Sequence, residues 1–224
     1  MLIAALLASA CGRETPRDAA PGAGAASSGN ARSLPAERPT VVFLGDSLTA
    51  GYGLDPGEAY PALVQQRLRD AGLDAEVVNA GMSGDTSAGG LRRVDWSLDG
   101  RVTVLVVALG GNDALRGLST EELRRNLAGI IERGRQRRAT VILAGMEAPP
   151  NLGRAYTSAF RQVYRDLAAE YRIALIPFLL DGVAGRPGLN QADFIHPNAA
   201  GARKIADLVA PFVERALREA PHDD

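Results

Sequence analysis

Ser47 stands in the stretch "GDSLTAGYG", just beyond the apolar run "TVVFLG" at 40–45. A serine in a turn ordinarily bonds only its own backbone. Its hydroxyl attacks well only where a base accepts the proton as the new bond forms. The chain has two histidines, and His222 lies in the terminal "PHDD", so His196 in "DFIHPN" (193–198) is the base available to a folded domain. Asp193, three residues earlier, can hold one imidazole nitrogen in a tight turn and leave the other facing Ser47. Backbone N–H groups of Ser47 and Gly84, with the side-chain amide of Asn112, would supply donors for a tetrahedral oxyanion. The chemistry these types allow together is acyl transfer.

Such residues lie far apart in the chain, so a fold must deliver them to one place. Five short Val/Ile/Leu-rich runs serve, at 40–45, 75–80, 102–109, 140–145 and 173–178. None alternates with polar residues, which predicts strands buried on both faces of a parallel sheet. Helical patterns lie between them. "PALVQQRLRDAG" has Pro61 in its first turn and ends at Gly72. "STEELRRNLAGIIERG" has Ser119 and Glu122 at capping-box spacing, and "RAYTSAFRQVYRDLAAEY" aligns Tyr156, Phe160, Val163, Tyr164 and Leu167. The last helix follows Asn198, its expected cap, and Pro211 is expected to interrupt and bend it. Strand–helix alternation of this kind predicts a three-layer α/β/α domain. In such domains ligands bind beyond the carboxyl ends of the strands. Ser47, "SGDTS" (83–87), "GGNDALRG" (110–117) and "DFIHPN" all follow predicted strands.

These four blocks resemble the SGNH (GDSL-type) hydrolases, the four letters matching Ser47, Gly84, Asn112 and His196, with Asp193 completing an Asp-x-x-His block. The similarity runs over about residues 40–218 and is strongest toward the bacterial thioesterase I/protease I/lysophospholipase branch and its arylesterase relatives. The resemblance implies a flavodoxin-like sheet of five parallel strands in the order 2-1-3-4-5, a serine nucleophile and no cofactor or metal. It implies a carboxylic ester or thioester as substrate, with a carbohydrate O-acetylesterase as the alternative within the superfamily. Segments such as "EAPPNLGRAY" (147–156) leave the substrate open.

Gly111, Leu115, Leu118 and Ile195 are candidate substrate-pocket residues, with loop packing as their alternative. Asp46 and Asp113 read as structural carboxylates that accept nearby backbone N–H groups. Asp85 and Thr86 read as caps of the following helix, Trp96 as a helix–sheet packing residue, and "RGRQRR" (133–138) as a solvated helix end.

Composition bounds the rest. A formal charge of −1 over 224 residues gives no electrostatic case for nucleic acid. A metal-dependent phosphoesterase would want several histidines in the folded part. A non-catalytic binding lipoprotein remains a third class. The opening "MLIAALLASAC" is similar to a bacterial lipoprotein leader with Cys11, the single cysteine, as its lipidated residue. An ordinary cleaved leader is its alternative. The Ala/Gly/Ser/Pro-rich stretch that follows reads as a tether. The expected organisation is therefore a leader at 1–11, a tether at 12–38 and a hydrolase domain at 39–220. The chain is expected to be a monomer in the periplasm or cell envelope, held to a membrane by lipid.

Overall fold

The computed structural model describes residues 38–220. The leader, Cys11, His222 and all but the last residue of the expected tether lie outside them. Strands β1 (Thr40–Gly45), β2 (Glu76–Gly81), β3 (Val104–Ala108), β4 (Thr140–Ala144) and β5 (Ala174–Ile176) form one parallel sheet. Their order is β2-β1-β3-β4-β5, as the family resemblance implies.

The β-branched runs of β1, β3 and β4 are buried almost throughout because helices cover both faces. On one face lie α2 (Tyr60–Asp70) and α7 (Ala199–Glu219), packed on each other; on the other, α3 (Ser87–Ser97) packs on α5 (Thr120–Gln136), and α5 on α6 (Arg154–Tyr171). Two one-turn helices, α1 (Ser47–Ala50) and α4 (Gly111–Leu115), sit directly after β1 and β3. Leu123, Leu127, Ile130 and Ile131 of α5 are buried together, as their three- and four-residue spacing requires.

Four expectations need correction. The edge strands β2 and β5 are not buried on both faces: no residue of β2 is buried, and of β5 only Ile176 is. Trp96 is 76% exposed rather than packed. The buried stripe of α3 passes through Gly90 and Val94, and a residue two positions beyond Val94 points the other way. Thr86 alone caps α3, accepting from Gly89 N, while the Asp85 carboxylate is paired with Arg93. Pro211 does not interrupt α7, which continues through it to Glu219.

Candidate active site

Gly45 ends β1 where no side chain fits. A Cβ there would lie 1.9 Å from Thr49 Oγ1 and 2.9 Å from the Ala108 carbonyl. The chain can therefore fold α1 tightly over the strand end, and the buried Thr49 hydroxyl pairs with Tyr60 Oη at 2.9 Å. Asp46 caps α1 by accepting from Leu48 N at 3.0 Å. Ser47 is thereby held, half-buried, at the first position of the turn.

The histidine comes from a loop that is stapled to itself and to the turn that follows α1. Asn190 and Pro197 form an isolated antiparallel bridge, and Gln191 N donates to the His196 carbonyl at 2.7 Å. Gln191 Nε2 donates to the Tyr52 and Pro197 carbonyls, and Asn198 accepts from Ala200 N and Gly201 N to start α7. Within the loop Asp193 has two roles. One carboxylate oxygen accepts from Ile195 N and His196 N at 3.0 Å each, and the other meets His196 Nδ1 at 2.6 Å. The second imidazole nitrogen, Nε2, lies 2.9 Å from Ser47 Oγ. A carboxylate only accepts, so Nδ1 carries a proton and Nε2 is left as the acceptor for the serine hydroxyl. The Tyr52 ring lies against the imidazole with centroids 4.7 Å apart.

Electrostatics separate the two nearby carboxylates. Hydrogen bonds from the imidazole, then from His196 N and Ile195 N, pull Asp193 down to about 2. Burial pushes Asp46 up to about 6, against the lowering effects of the Leu48 N–H and the imidazole charge.

The donor side is built on a buried polar floor. Arg93 Nη1 donates to Ala80 O and Nη2 to Gly45 O, each at 2.8 Å, while Nε reaches Asp85 at 2.6 Å. One guanidinium thus ties the ends of β1 and β2 to the turn that carries Gly84. That residue has φ 84, a left-handed backbone suited to glycine, and its carbonyl accepts from Arg116 Nη2 at 2.9 Å. Asn112 Nδ2 donates to Asp85 O at 2.9 Å. The second hydrogen of the same amide has only a 3.5 Å contact with Asp46 Oδ2, longer than a normal bond. That hydrogen is therefore only weakly engaged by the protein. Asp113 lies beneath, accepting from Ser87 N at 2.8 Å and Ser87 Oγ at 2.6 Å. Asp46 and Asp113 are structural acceptors, as the sequence suggests.

A cavity of about 230 Å³ opens beside Ser47 and His196. Of the pocket candidates, Gly111, Leu115 and Ile195 line it, and so does Asn112. Leu118 does not. The chain reverses at Gly117, φ 61, and the Leu118 carbonyl is engaged by Tyr156 Oη at 2.8 Å instead. Sequence reasoning missed Met146, Leu180 and Phe194, which also line the cavity. Met146 follows β4, so the rule that sites lie beyond strand ends could have found it. Leu180 sits in a long segment without periodicity, where no such signal exists. Tyr52, against the imidazole, was also missed, although it lies in the serine block itself.

A serine, an imidazole and a carboxylate in line, beside amide donors and an apolar cavity, can carry out acyl transfer with a covalent intermediate. Comparisons with known proteins agree. Residues 43–204 match the GDSL-like Lipase/Acylhydrolase family. The chain is 44% identical over 179 residues to Esterase TesA of Pseudomonas aeruginosa, covering 80% of this chain and 89% of that protein. The crystal structure of TesA superposes with a TM-score of 0.76 over 79% of this chain and 99% of that one. The chain is 38% identical to Thioesterase 1/protease 1/lysophospholipase L1 of Escherichia coli K12, over 76% of this chain and 81% of that protein. AlinE4, described as an SGNH-hydrolase family esterase, is 46% identical with a TM-score of 0.68, over 81% of this chain and 97% of that chain. The chain belongs to the GDSL-like lipase/acylhydrolase family and is an SGNH-type ester hydrolase.

Proposed function

We propose that this chain hydrolyses carboxylic esters and thioesters through an acyl-serine intermediate, with Ser47 as nucleophile. Ser47 Oγ attacks the carbonyl carbon as His196 Nε2 takes its proton, and Asp193 holds the imidazole and balances its new charge. Negative charge on the carbonyl oxygen is met by the N–H groups of Ser47 and Gly84 and by Asn112 Nδ2. His196 then gives its proton to the leaving oxygen or sulfur. Water, activated by the same imidazole, releases the acid and restores the serine. The chain's own residues complete this cycle.

The observation that carries this reading is the pair of contacts at 2.9 Å and 2.6 Å that links Ser47 to His196 and His196 to Asp193. The substrate class is supported by the apolar lining, Leu115, Met146, Leu180 and Ile195 among it, and by the esterase and thioesterase names of the relatives. A cavity of about 230 Å³ is smaller than the roughly 300–1,000 Å³ of pockets for drug-sized ligands. It suits a short acyl group or the carbonyl end of a longer chain. The leader-like "MLIAALLASAC" supports a place in the periplasm or cell envelope, with Cys11 lipidated.

The test is labelling with a fluorophosphonate, followed by turnover of p-nitrophenyl esters, an acyl thioester and an acylated saccharide. Wild type is expected to form one adduct, on Ser47, and to prefer the ester and thioester. Ser47→Ala and His196→Ala are each expected to lose about 10³-fold or more in kcat with the fold intact. Wild-type rates in either variant would overturn the mechanism. Preference for the saccharide would replace the substrate class, and EDTA-sensitive phosphatase activity without an adduct would replace the chemistry.

A further inference from the structure

Arg93 stands midway along α3 with its side chain 13% exposed, and no step of the acyl transfer uses it. Its guanidinium donates to Ala80 O, to Gly45 O and to the Asp85 carboxylate. The Asp85 side chain is as deeply placed, and among the described residues Arg93 is its only side-chain partner. Its other oxygen faces Gly89, where a Cβ would lie 2.4 Å from Asp85 Oδ1. An ion pair sunk this far is a poor source of stability, since apolar residues of similar volume often serve as well or better. What it fixes is geometry.

Its acceptors lead to the oxyanion donors. Gly45 is two residues before Ser47, and its carbonyl also accepts from Met82 N at 3.0 Å. Met82 opens a β-turn that Asp85 closes, Asp85 N donating to the Met82 carbonyl at 3.1 Å. Gly84 is the third residue of that turn, with the left-handed φ that a type II turn requires there. The Asp85 carbonyl accepts from Asn112 Nδ2 at 2.9 Å, so the residue that Arg93 grips also sets the direction of that amide. One cation thus stands behind the Ser47 N–H, the Gly84 N–H and the Asn112 side chain.

We infer that Arg93 is the positioning residue of the oxyanion site, setting the spacing of its three donors without touching a reacting atom. The inference rests on the acyl-serine reading above and adds to it how the donors are held. Such donors work when they are already aimed at the place where negative charge develops. Arg116 reaches the same turn through the Gly84 carbonyl, but it is exposed, and water can replace its bond. Loss of Arg93 leaves the Asp85 carboxylate without its partner where little water reaches. The turn that carries Gly84 and the carbonyl that aims Asn112 are then free to shift.

The test compares the full chain as wild type, Arg93→Lys and Arg93→Met, each with and without Asn112→Ala, on dissolved p-nitrophenyl acetate. Lysine keeps the charge but lacks the planar fork that reaches three acceptors. Methionine keeps much of the bulk and neither charge nor donor. Arg93→Met is expected to lose about 10²-fold in kcat, the effect of a misplacement near 1 Å, with KM nearly unchanged. Arg93→Lys is expected to fall between it and wild type. A merely structural role would lower the urea midpoint and leave the kcat of the folded enzyme where it was. The cycle with Asn112→Ala decides, because removing Arg93 should lower kcat far less once a donor that it positions is gone. Losses that multiply in full, a change confined to KM, or a wild-type kcat in either Arg93 variant overturns the inference. Should Arg93→Met not fold, Arg93→Lys completes the same cycle. Fluorophosphonate labelling of wild type separates the two readings. No adduct on Ser47 counts against the acyl-serine enzyme, whereas an adduct together with unchanged Arg93 variants counts against Arg93 alone.

Discussion

Asp46 lies 2% exposed beneath Ser47, whereas the side chain of Asp193 lies 38% exposed beside His196. Burial raises the first to about 6, and hydrogen bonds lower the second to about 2. The same contrast runs through the two regions they belong to. The floor, with Asp46, Asp113, Ser87 and Arg93, is a polar network with bonds at 2.6–3.0 Å. The lip, with Tyr52, Leu115, Phe194 and Ile195, is apolar and open to water. The floor spends stability to fix geometry. The lip keeps its charge cheaply hydrated and can meet a substrate.

The contrast breaks most sharply if the two aspartates prove interchangeable. Asp193→Asn keeps an oxygen to accept from Ile195 N and His196 N, so the loop should stand. The amide cannot both hold the Nδ1 proton and balance an imidazolium, and kcat is expected to fall by about 10⁴-fold, as when a triad carboxylate becomes an amide. Asp46→Asn retains the α1 cap and is expected to lose far less. Steady-state kinetics on a soluble ester decides, and equal losses would merge floor and lip. Next in size is Asn112→Ala. Removing an oxyanion donor typically costs about 2.7–4 kcal/mol of barrier, or roughly 10²–10³-fold in kcat. KM should hold, because that hydrogen bond strengthens only in the transition state. A change confined to KM would assign Asn112 to ground-state binding instead.

Much of this was readable from residue order. β1 spans the predicted 40–45, and the other four strands fall within or one residue beyond their predicted runs. Burial on both faces favours the unbroken Val/Ile/Leu runs of β1, β3 and β4. The failures share a cause. The exposure of β2 depends on which strand ends the sheet, a tertiary fact that its composition, "EVVNAG", does not encode. Trp96 was misplaced because size suggests burial while helical phase decides it. Ser47, Asn112, Asp193 and His196 stood out because their blocks are short and polar against apolar strands. The cavity wall did not, since Leu180 and Phe194 lie in a segment whose path is set by hairpin bonds such as Gln191 N to the His196 carbonyl. The turn at Gly117 likewise removed Leu118 from the cavity for a backbone reason, φ 61, that no hydropathy pattern carries.

The smallest expected effect concerns stability and sharpens the comparison by its sign. The Asp46 carboxyl goes from an ordinary 3.8 in an unfolded chain to about 6 when buried. Below about pH 4 it is protonated in both states and contributes no difference. Between about pH 4 and 6 the unfolded chain releases a proton that the folded chain still binds, so stability falls as pH rises. The loss saturates above about pH 6 at on the order of 3 kcal/mol. Asp193 runs the opposite way: its lowered value contributes stability above about pH 4 that is lost as pH falls toward 2. Asp46→Asn should therefore match wild type in urea midpoint near pH 4 and exceed it at pH 7, with an unchanged m-value. Asp193→Asn should show no such gain at pH 7. If Asp46→Asn is no more stable at pH 7 than at pH 4 relative to wild type, the buried carboxylate is not strained by its desolvation. The floor would then hold Ser47 at no cost, and the distinction between the two regions would reduce to exposure alone.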